Sequence, residues 1–220
     1  MGGAPLFGRT LPALPRLIPE EVKQRHGQGA ALVDARSPSQ YDGAHIRGSY
    51  NIGIEDAFSA WVGWVLPPER PLILVDQVTA EDARRQLFRI GYDNVVGVLD
   101  GGVQAWREAG EDVASFETGE IDDLVRWLQS GEPLTVLDVR NEDEWIHGHV
   151  PGAVHLTVPE VEAHAVGLPR DAAVAVHCAS GYRAGIAASI LEQAGIKRLI
   201  RIEGGFPEWE ARHLPAVIPG

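Results

Sequence analysis

The 220-residue chain repeats itself once, and the length of that repeat constrains the fold more than any other feature. Leu32–Ile52 aligns without a gap on Val136–Leu156, an offset of 104 positions. The alignment sets Asp34 against Asp138, Arg36 against Arg140, Tyr41 against Trp145, His45 against His149 and Gly48 against Gly152. Farther on, Gly101-Gly-Val-Gln-Ala-Trp106 returns as Gly204-Gly-Phe-Pro-Glu-Trp209. Solenoid repeats are about 20–50 residues long, too short to match this offset. The period is that of a whole domain, and a unit of roughly 100 residues can bury a core of its own. The chain is therefore expected to fold as two domains, 1–113 and 114–220. Their boundary is expected in the stretch 110–119, where Gly, Glu, Ser and Thr replace the periodic pattern.

Within the first unit, short apolar runs alternate with helical patterns. Pro19–Gln28 reads as a helix, Ala31–Asp34 as a strand and Ser37–Asp42 as a short helical turn. Ala57–Leu66 reads as a helix stopped by Pro67-Pro68, followed by a strand at Leu72–Val75, a helix at Thr79–Gly91 and a strand at Val95–Leu99. The second unit repeats the order. This alternation predicts an α/β fold in which each unit is a mostly parallel sheet with helices on both faces. Phe58, Trp61 and Trp64 are expected to form one core-facing stripe of the Ala57–Leu66 helix.

The chemistry concentrates in Cys178-Ala-Ser-Gly-Tyr-Arg183, which holds the chain's one cysteine. Ala172–His177 reads as a buried strand before it. Ala184–Gly195 reads as a helix after it, with Ile186, Ala187, Ile190 and Leu191 on one face and Gly195 at its C′ position. A cysteine at a strand-to-helix turn sits where backbone N–H groups converge. The helix N-terminus and Arg183 both favour the thiolate over the thiol. The amides of Ala179, Ser180, Gly181, Tyr182 and Arg183 can cradle an anionic sulfur bound beside it. A buried structural cysteine needs neither Gly181 nor Arg183, so Cys178 reads as a nucleophile.

Cys-x-x-Gly-x-Arg between a strand and a helix resembles the active-site loop of rhodanese-family sulfurtransferases. The Asp-x-Arg strand ends, the Gly148-His-Val-Pro-Gly-Ala153 turn and both Gly-Gly-x-x-x-Trp segments resemble that family as well, from about Leu17 to Ala216. The resemblance implies two rhodanese-like domains and a Cys178 that carries a persulfide sulfur, with no cofactor and no metal. It implies small sulfur-containing anions or thiol persulfides as donors, and nucleophiles such as cyanide, sulfite or a thiol as acceptors. The six-residue loop 178–183 implies a site sized for sulfur, since related phosphatases of the same fold use one residue more. Where the family often has Ser or Thr, this chain has Ala184, which removes one hydroxyl donor. Ala57–Leu66 and the double proline also resemble the tandem rhodanese tail of metallo-β-lactamase-fold persulfide dioxygenase fusions. No His-x-His-x-Asp-His motif is present here, so that likeness implies either the tail of such a fusion or a stand-alone relative with a persulfide-metabolising enzyme as its partner.

The two units are not equivalent. Aligned on the glycine that ends the following helix, Cys178 falls near Asp76, and 17 positions to Gly195 compare with 15 to Gly91. The first loop is thus expected to be two residues shorter, with Asp76, Glu81 and Asp82 where anions would bind, and to be chemically silent. Two of His147, His149 and His155 are part of the turn motif and no cysteine or paired carboxylate accompanies them, so a structural turn rather than a metal site is expected. His177 is expected to point away from the sulfur, and Asp138 and Arg140 to be structural, since the silent unit keeps both. A net charge of −12 without a basic stripe argues against nucleic acid, and no apolar run approaches the roughly 18 residues of a membrane span. Met1–Arg9 lacks a signal-peptide apolar region, and a lone cysteine makes no internal disulfide, so a cytoplasmic location is expected. Two classes of function remain: a sulfurtransferase, and a non-catalytic protein-binding or redox-sensing module. The intact second loop favours the enzyme. A phosphatase or arsenate reductase is disfavoured by the loop length and the missing second cysteine.

Overall fold

The computed structural model describes residues 12–55 and 57–218; the Met1–Arg9 stretch read above lies outside them. The first half runs β1 (Arg16–Leu17), α1 (Pro19–Gly27), β2 (Ala31–Asp34), α2 (Pro38–Gly43), β3 (His45–Ile46) and β4 (Tyr50–Asn51). It continues with α3 (Phe58–Val65), β5 (Leu72–Leu74), α4 (Ala80–Arg89), β6 (Val95–Leu99), α5 (Gly102–Glu108) and β7 (Val113–Ala114). The second half runs β8 (Glu117–Gly119), α6 (Ile121–Ser130), β9 (Leu134–Asp138), α7 (Glu142–Ile146) and β10 (Val154–His155). It ends with α8 (Val158–His164), β11 (Ala173–Cys178), α9 (Tyr182–Gln193), β12 (Leu199–Gly205) and α10 (Phe206–Ala211).

Each half contains a five-stranded sheet, in the orders β1-β6-β5-β2-β4 and β8-β12-β11-β9-β10, and every pairing within both is parallel. The two orders match strand for strand, so the sequence repeat is a topological repeat. The turn motif adds a small antiparallel feature to each half: β3 pairs with β7 in the first, and His149 bridges Val217 in the second. β2 and β5 are buried along their whole length, as strands covered on both faces must be. Their side chains alternate between two cores. Leu32, Ile73 and Val75 join Val22, Leu99 and Trp106 on one face of the first sheet. Val33, Leu72 and Leu74 face the other way and join Phe58 and Val62 of α3. That second core is continuous with Leu137, Val174, Val176, Ile186 and Leu191, so the two halves share it.

One expected stripe is wrong. Phe58 is fully buried and Trp61 packs at the core margin, but Trp64 is 68% exposed. At 3.6 residues per turn, each step of three falls about 60° short of a full turn. The line Phe58–Trp61–Trp64 therefore winds off the buried face, which Phe58 and Val62 occupy.

α9 is buried almost all round, from Ala184 to Leu191. One side covers its own sheet and the other lies against the first half. Tyr182, Gly185, Ser189 and Glu192, spaced three, four and three apart, make that second side. The Tyr182 hydroxyl donates to the Gly53 carbonyl (2.8 Å), and the Asn51 amide donates to Ser189 Oγ (3.0 Å). A methyl group at Gly185 would lie 2.8 Å from Asn51 Oδ1. Glu192 accepts from the Gly48 amide (3.2 Å) and Arg47 Nη1 (3.1 Å), with His45 Nε2 at 3.3 Å. Among the described residues, no helix is long and apolar enough to cross a membrane.

Candidate active site

Cys178 ends β11, and a register slip between Val176 and Cys178 brings it opposite Gly205 of β12. The backbones cross so closely there that a Cβ on Gly205 would fall 1.9 Å from the Cys178 carbonyl oxygen. Gly205 is extended (φ 166°), so it is the close approach, not the conformation, that demands glycine. After Cys178 the chain turns through Gly181 at φ +90° into α9. This left-handed turn points the Gly181 amide at the cysteine, and it donates to Sγ at 3.1 Å. The first-turn amides of α9 have no intrahelical acceptor and also face this end of the helix. Cys178 is fully buried, Ala179 half-buried, and Ser180 exposed at the rim of the loop.

Arg183 does not stand free beside the sulfur. Its Nη1 and Nη2 donate to Glu144 Oε2 (2.5 Å) and Oε1 (2.9 Å), a two-pronged pair. The Glu144 bond is the largest influence raising the Arg183 pKa, and the nearby Cys178 sulfur adds to it. In return the Arg183 bond holds the Glu144 carboxyl below the usual carboxylate range. Glu144 is fixed independently at the start of α7, where the Asn141 amide donates to Oε2 (3.1 Å). Behind Gly181 lies a second buried guanidinium, Arg201, whose Nη1 would be 2.9 Å from a Cβ at that glycine. Arg201 pairs with Asp42 of the first half and donates to Glu203 (3.0 Å). The reading of the loop missed both Glu144 and Arg201. The signal for Glu144 was the repeat itself, which sets an acid there against Gln40.

Asp138 and Arg140 pair with each other. Arg140 Nε and Nη2 donate to the Asp138 carboxylate (2.9 and 2.7 Å), and Nη2 also donates to the Gly148 carbonyl (2.7 Å). Arg36 and Asp34 repeat the pair in the first half, with Arg36 reaching the Ala44 carbonyl. His177 is buried with Nε2 3.6 Å from Asp138 Oδ2. Burial pushes it below the usual histidine value, and the nearby Asp138 only partly opposes this. The Tyr182 side chain is committed to Gly53, and burial raises its phenol pKa. His149 and His155 stack on Trp145, with centroids at 3.4 and 4.6 Å. Among the described residues, no cluster of His, Cys, Asp and Glu has the geometry of a metal site.

The expected shortening of the first loop is corrected. Val33 pairs with Leu74 as Leu137 pairs with Val176, so Asp76 holds the place of Cys178. Both following helices begin four residues later, at Ala80 and Tyr182. The loops are equally long; α4 has 10 residues where α9 has 12, and the terminal glycine slid with the helix length. What differs is chemistry. The Asp76 carboxylate accepts from the Val78 amide (3.1 Å), the Thr79 amide (3.3 Å) and the Thr79 hydroxyl (2.6 Å). It fills the cradle from within. Thr79 replaces Gly181 and Glu81 replaces Arg183. The space in front is a cavity of about 370 Å³ that includes Arg36, Gln40, Glu55 and Asp76 in its lining.

The family model described as a rhodanese-like domain matches this chain twice, over residues 18–109 and 120–212. A sulfurtransferase of Allochromatium vinosum is 31% identical over 102 residues, which cover 46% of this chain and 95% of that protein. A Bacillus subtilis protein named as a candidate sulfur carrier, YrkF, is 30% identical over 102 residues. That match covers 46% of this chain and 55% of the relative, so the chain spans only about half of YrkF's length. Among solved structures, a rhodanese-related protein from Thermoplasma volcanium is 30% identical with a TM-score of 0.43, covering 47% of this chain and 100% of that one.

Proposed function

The chain belongs to the rhodanese family, through both of its halves, and from that premise we propose that it is a sulfurtransferase whose Cys178 ferries sulfane sulfur from donor to acceptor. One observation carries the reading: the Gly181 amide donates to Cys178 Sγ at the N-terminus of a well-buried helix. That geometry stabilises a thiolate and, after transfer, a persulfide anion. The donor is thiosulfate or a low-molecular-weight persulfide, reaching the loop over Ala179 and Ser180. The thiolate attacks the donor's sulfane sulfur, forming an S–S bond to Sγ. The donor's own bond to that sulfur breaks, and its remainder leaves with the electron pair. An external nucleophile then takes the sulfur by the same displacement.

No second cysteine exists to intercept the persulfide, so the loaded form should persist until an acceptor arrives, and the kinetics should be ping-pong. Intact mass spectrometry after incubation with thiosulfate or glutathione persulfide tests this. Gain of one sulfur atom is expected, lost again on adding cyanide or sulfite and absent in Cys178→Ser. An unchanged mass with every donor, or equal turnover by Cys178→Ser, contradicts it.

A further inference from the structure

We infer that Glu144 makes this site selective against donors that gather several negative charges at the reacting sulfur, so that organic persulfides rather than thiosulfate are the donor class it takes. The inference rests on the sulfurtransferase reading above and narrows its substrate.

The two halves provide an internal control. Position 144 corresponds to Gln40, and both residues close the first turn of a short helix in the same way. The Ser37 amide donates to Gln40 Oε1 (3.2 Å) as the Asn141 amide donates to Glu144 Oε2 (3.1 Å). The cap thus needs an acceptor but no charge. The carboxylate occurs in the half that has Arg183, and the neutral amide in the half that has Glu81 instead. Its charge therefore acts on Arg183, which it grips with both oxygens at 2.5 and 2.9 Å.

That grip leaves little positive charge for a substrate. Arg183 is matched by Glu144, and Arg201 behind Gly181 is matched by Asp42 and Glu203. The loop then offers mainly backbone amides, which suit one negative charge. Attack of the Cys178 thiolate on thiosulfate gathers three negative charges at the loop, with sulfite departing as a dianion. Attack on a protonated persulfide, R–S–SH, gathers one: the S–S bond from Sγ to the outer sulfur forms, the donor's own S–S bond breaks, the C–S bond stays intact, and RS⁻ leaves with the pair. Each extra charge meets the Glu144 carboxylate across a half-buried site where screening is weak. Glu144 is a positioning residue in this scheme, acting through Arg183.

The test compares kcat/KM for thiosulfate and for glutathione persulfide, with cyanide or sulfite as acceptor, in the unmodified chain and in Glu144→Gln. Gln40 shows that glutamine supports the same cap, and a thermal melt checks that the variant is folded. The unmodified chain should use the persulfide at least roughly tenfold better, and Glu144→Gln should move the donor ratio about tenfold toward thiosulfate, mainly through KM. Equal or better use of thiosulfate by the unmodified chain overturns the inference without reference to any variant. So does a folded Glu144→Gln that turns over both donors at an unchanged ratio. If neither donor places sulfur on Cys178, the sulfurtransferase reading fails, and this one with it.

Discussion

A Cβ on Gly205 would meet the Cys178 carbonyl oxygen at 1.9 Å and its carbon at 2.7 Å, while one on the equivalent Gly102 would meet the Val75 oxygen at 3.5 Å. The same motif residue therefore does different work in the two halves. Gly205→Ala must push the Cys178 loop off β12, and such overpacking should cost about 2 kcal/mol or more in urea unfolding. Sulfur loading of Cys178 should fall with it. Gly102 sits at φ +60°, so Gly102→Ala should cost about 1–2 kcal/mol of backbone strain and leave loading intact. Arg183 yields a second prediction at this scale. Arg183→Ala leaves the Glu144 carboxylate unpaired beside the thiolate, and loading from any donor should slow by roughly tenfold or more. Arg183→Lys restores the charge but cannot grip both carboxylate oxygens, so stopped-flow rates should fall between the two.

At the scale of elements, the sequence was legible where one physical signal dominated. β2 and β6 occupy the residues expected, because short buried apolar runs bounded by turn residues have few other solutions. The strand–loop–helix around Cys178 was legible for the same reason, helped by Gly181 and Gly195. The interface side of α9 was not. Tyr182, Gly185, Ser189 and Glu192 are small or polar and look like a solvated face, yet they bond to a surface more than a hundred residues away in sequence. Glu144 was hidden too, since it also serves as an ordinary helix cap, a role that explains an acid there without reference to Arg183. The first loop was misjudged through its helix length, and the correction changes why it is expected to be silent. Asp76→Cys in a Cys178→Ser background restores a thiol on a loop of the right length. It should still load no sulfur, because Glu81 stands where the second half has Arg183. Mass gain at residue 76 under thiosulfate or persulfide would show that the thiol alone suffices.

At the scale of the whole molecule, the halves share a core and a set of buried charges, so their stability should respond to pH as one unit. Burial pushes His177 below its ordinary value, with Asp138 only partly opposing, and the folded chain holds it neutral. The unfolded chain takes up that proton near pH 6.5. The stability tied to neutral His177 is therefore complete above about pH 6.5 and is lost as pH falls toward the lowered folded value. Burial alone would raise the Glu192 carboxyl, but His45, the Gly48 amide and Arg47 outweigh it and hold it below the usual range. Its contribution is complete above about pH 4.3 and is lost as pH falls through the folded value. Asp42 runs the other way: burial outweighs Arg201 and raises it, so its charged form weakens the fold at neutral pH and is relieved in acid. Melting temperature should therefore decline on acidification in two stages, the first beginning below about pH 6.5 and the second below about 4.3. His177→Asn should remove the first stage. Glu192→Gln should lower the neutral-pH melting temperature and shrink the second, which Glu192 shares with Glu144, held below the usual range by Arg183. Because the shared core draws on both halves, from Leu14 to Leu199, each variant should still unfold in a single transition by both fluorescence and circular dichroism. Two separated transitions in Glu192→Gln would mean that the polar contacts along α9, not the common core, hold the halves together.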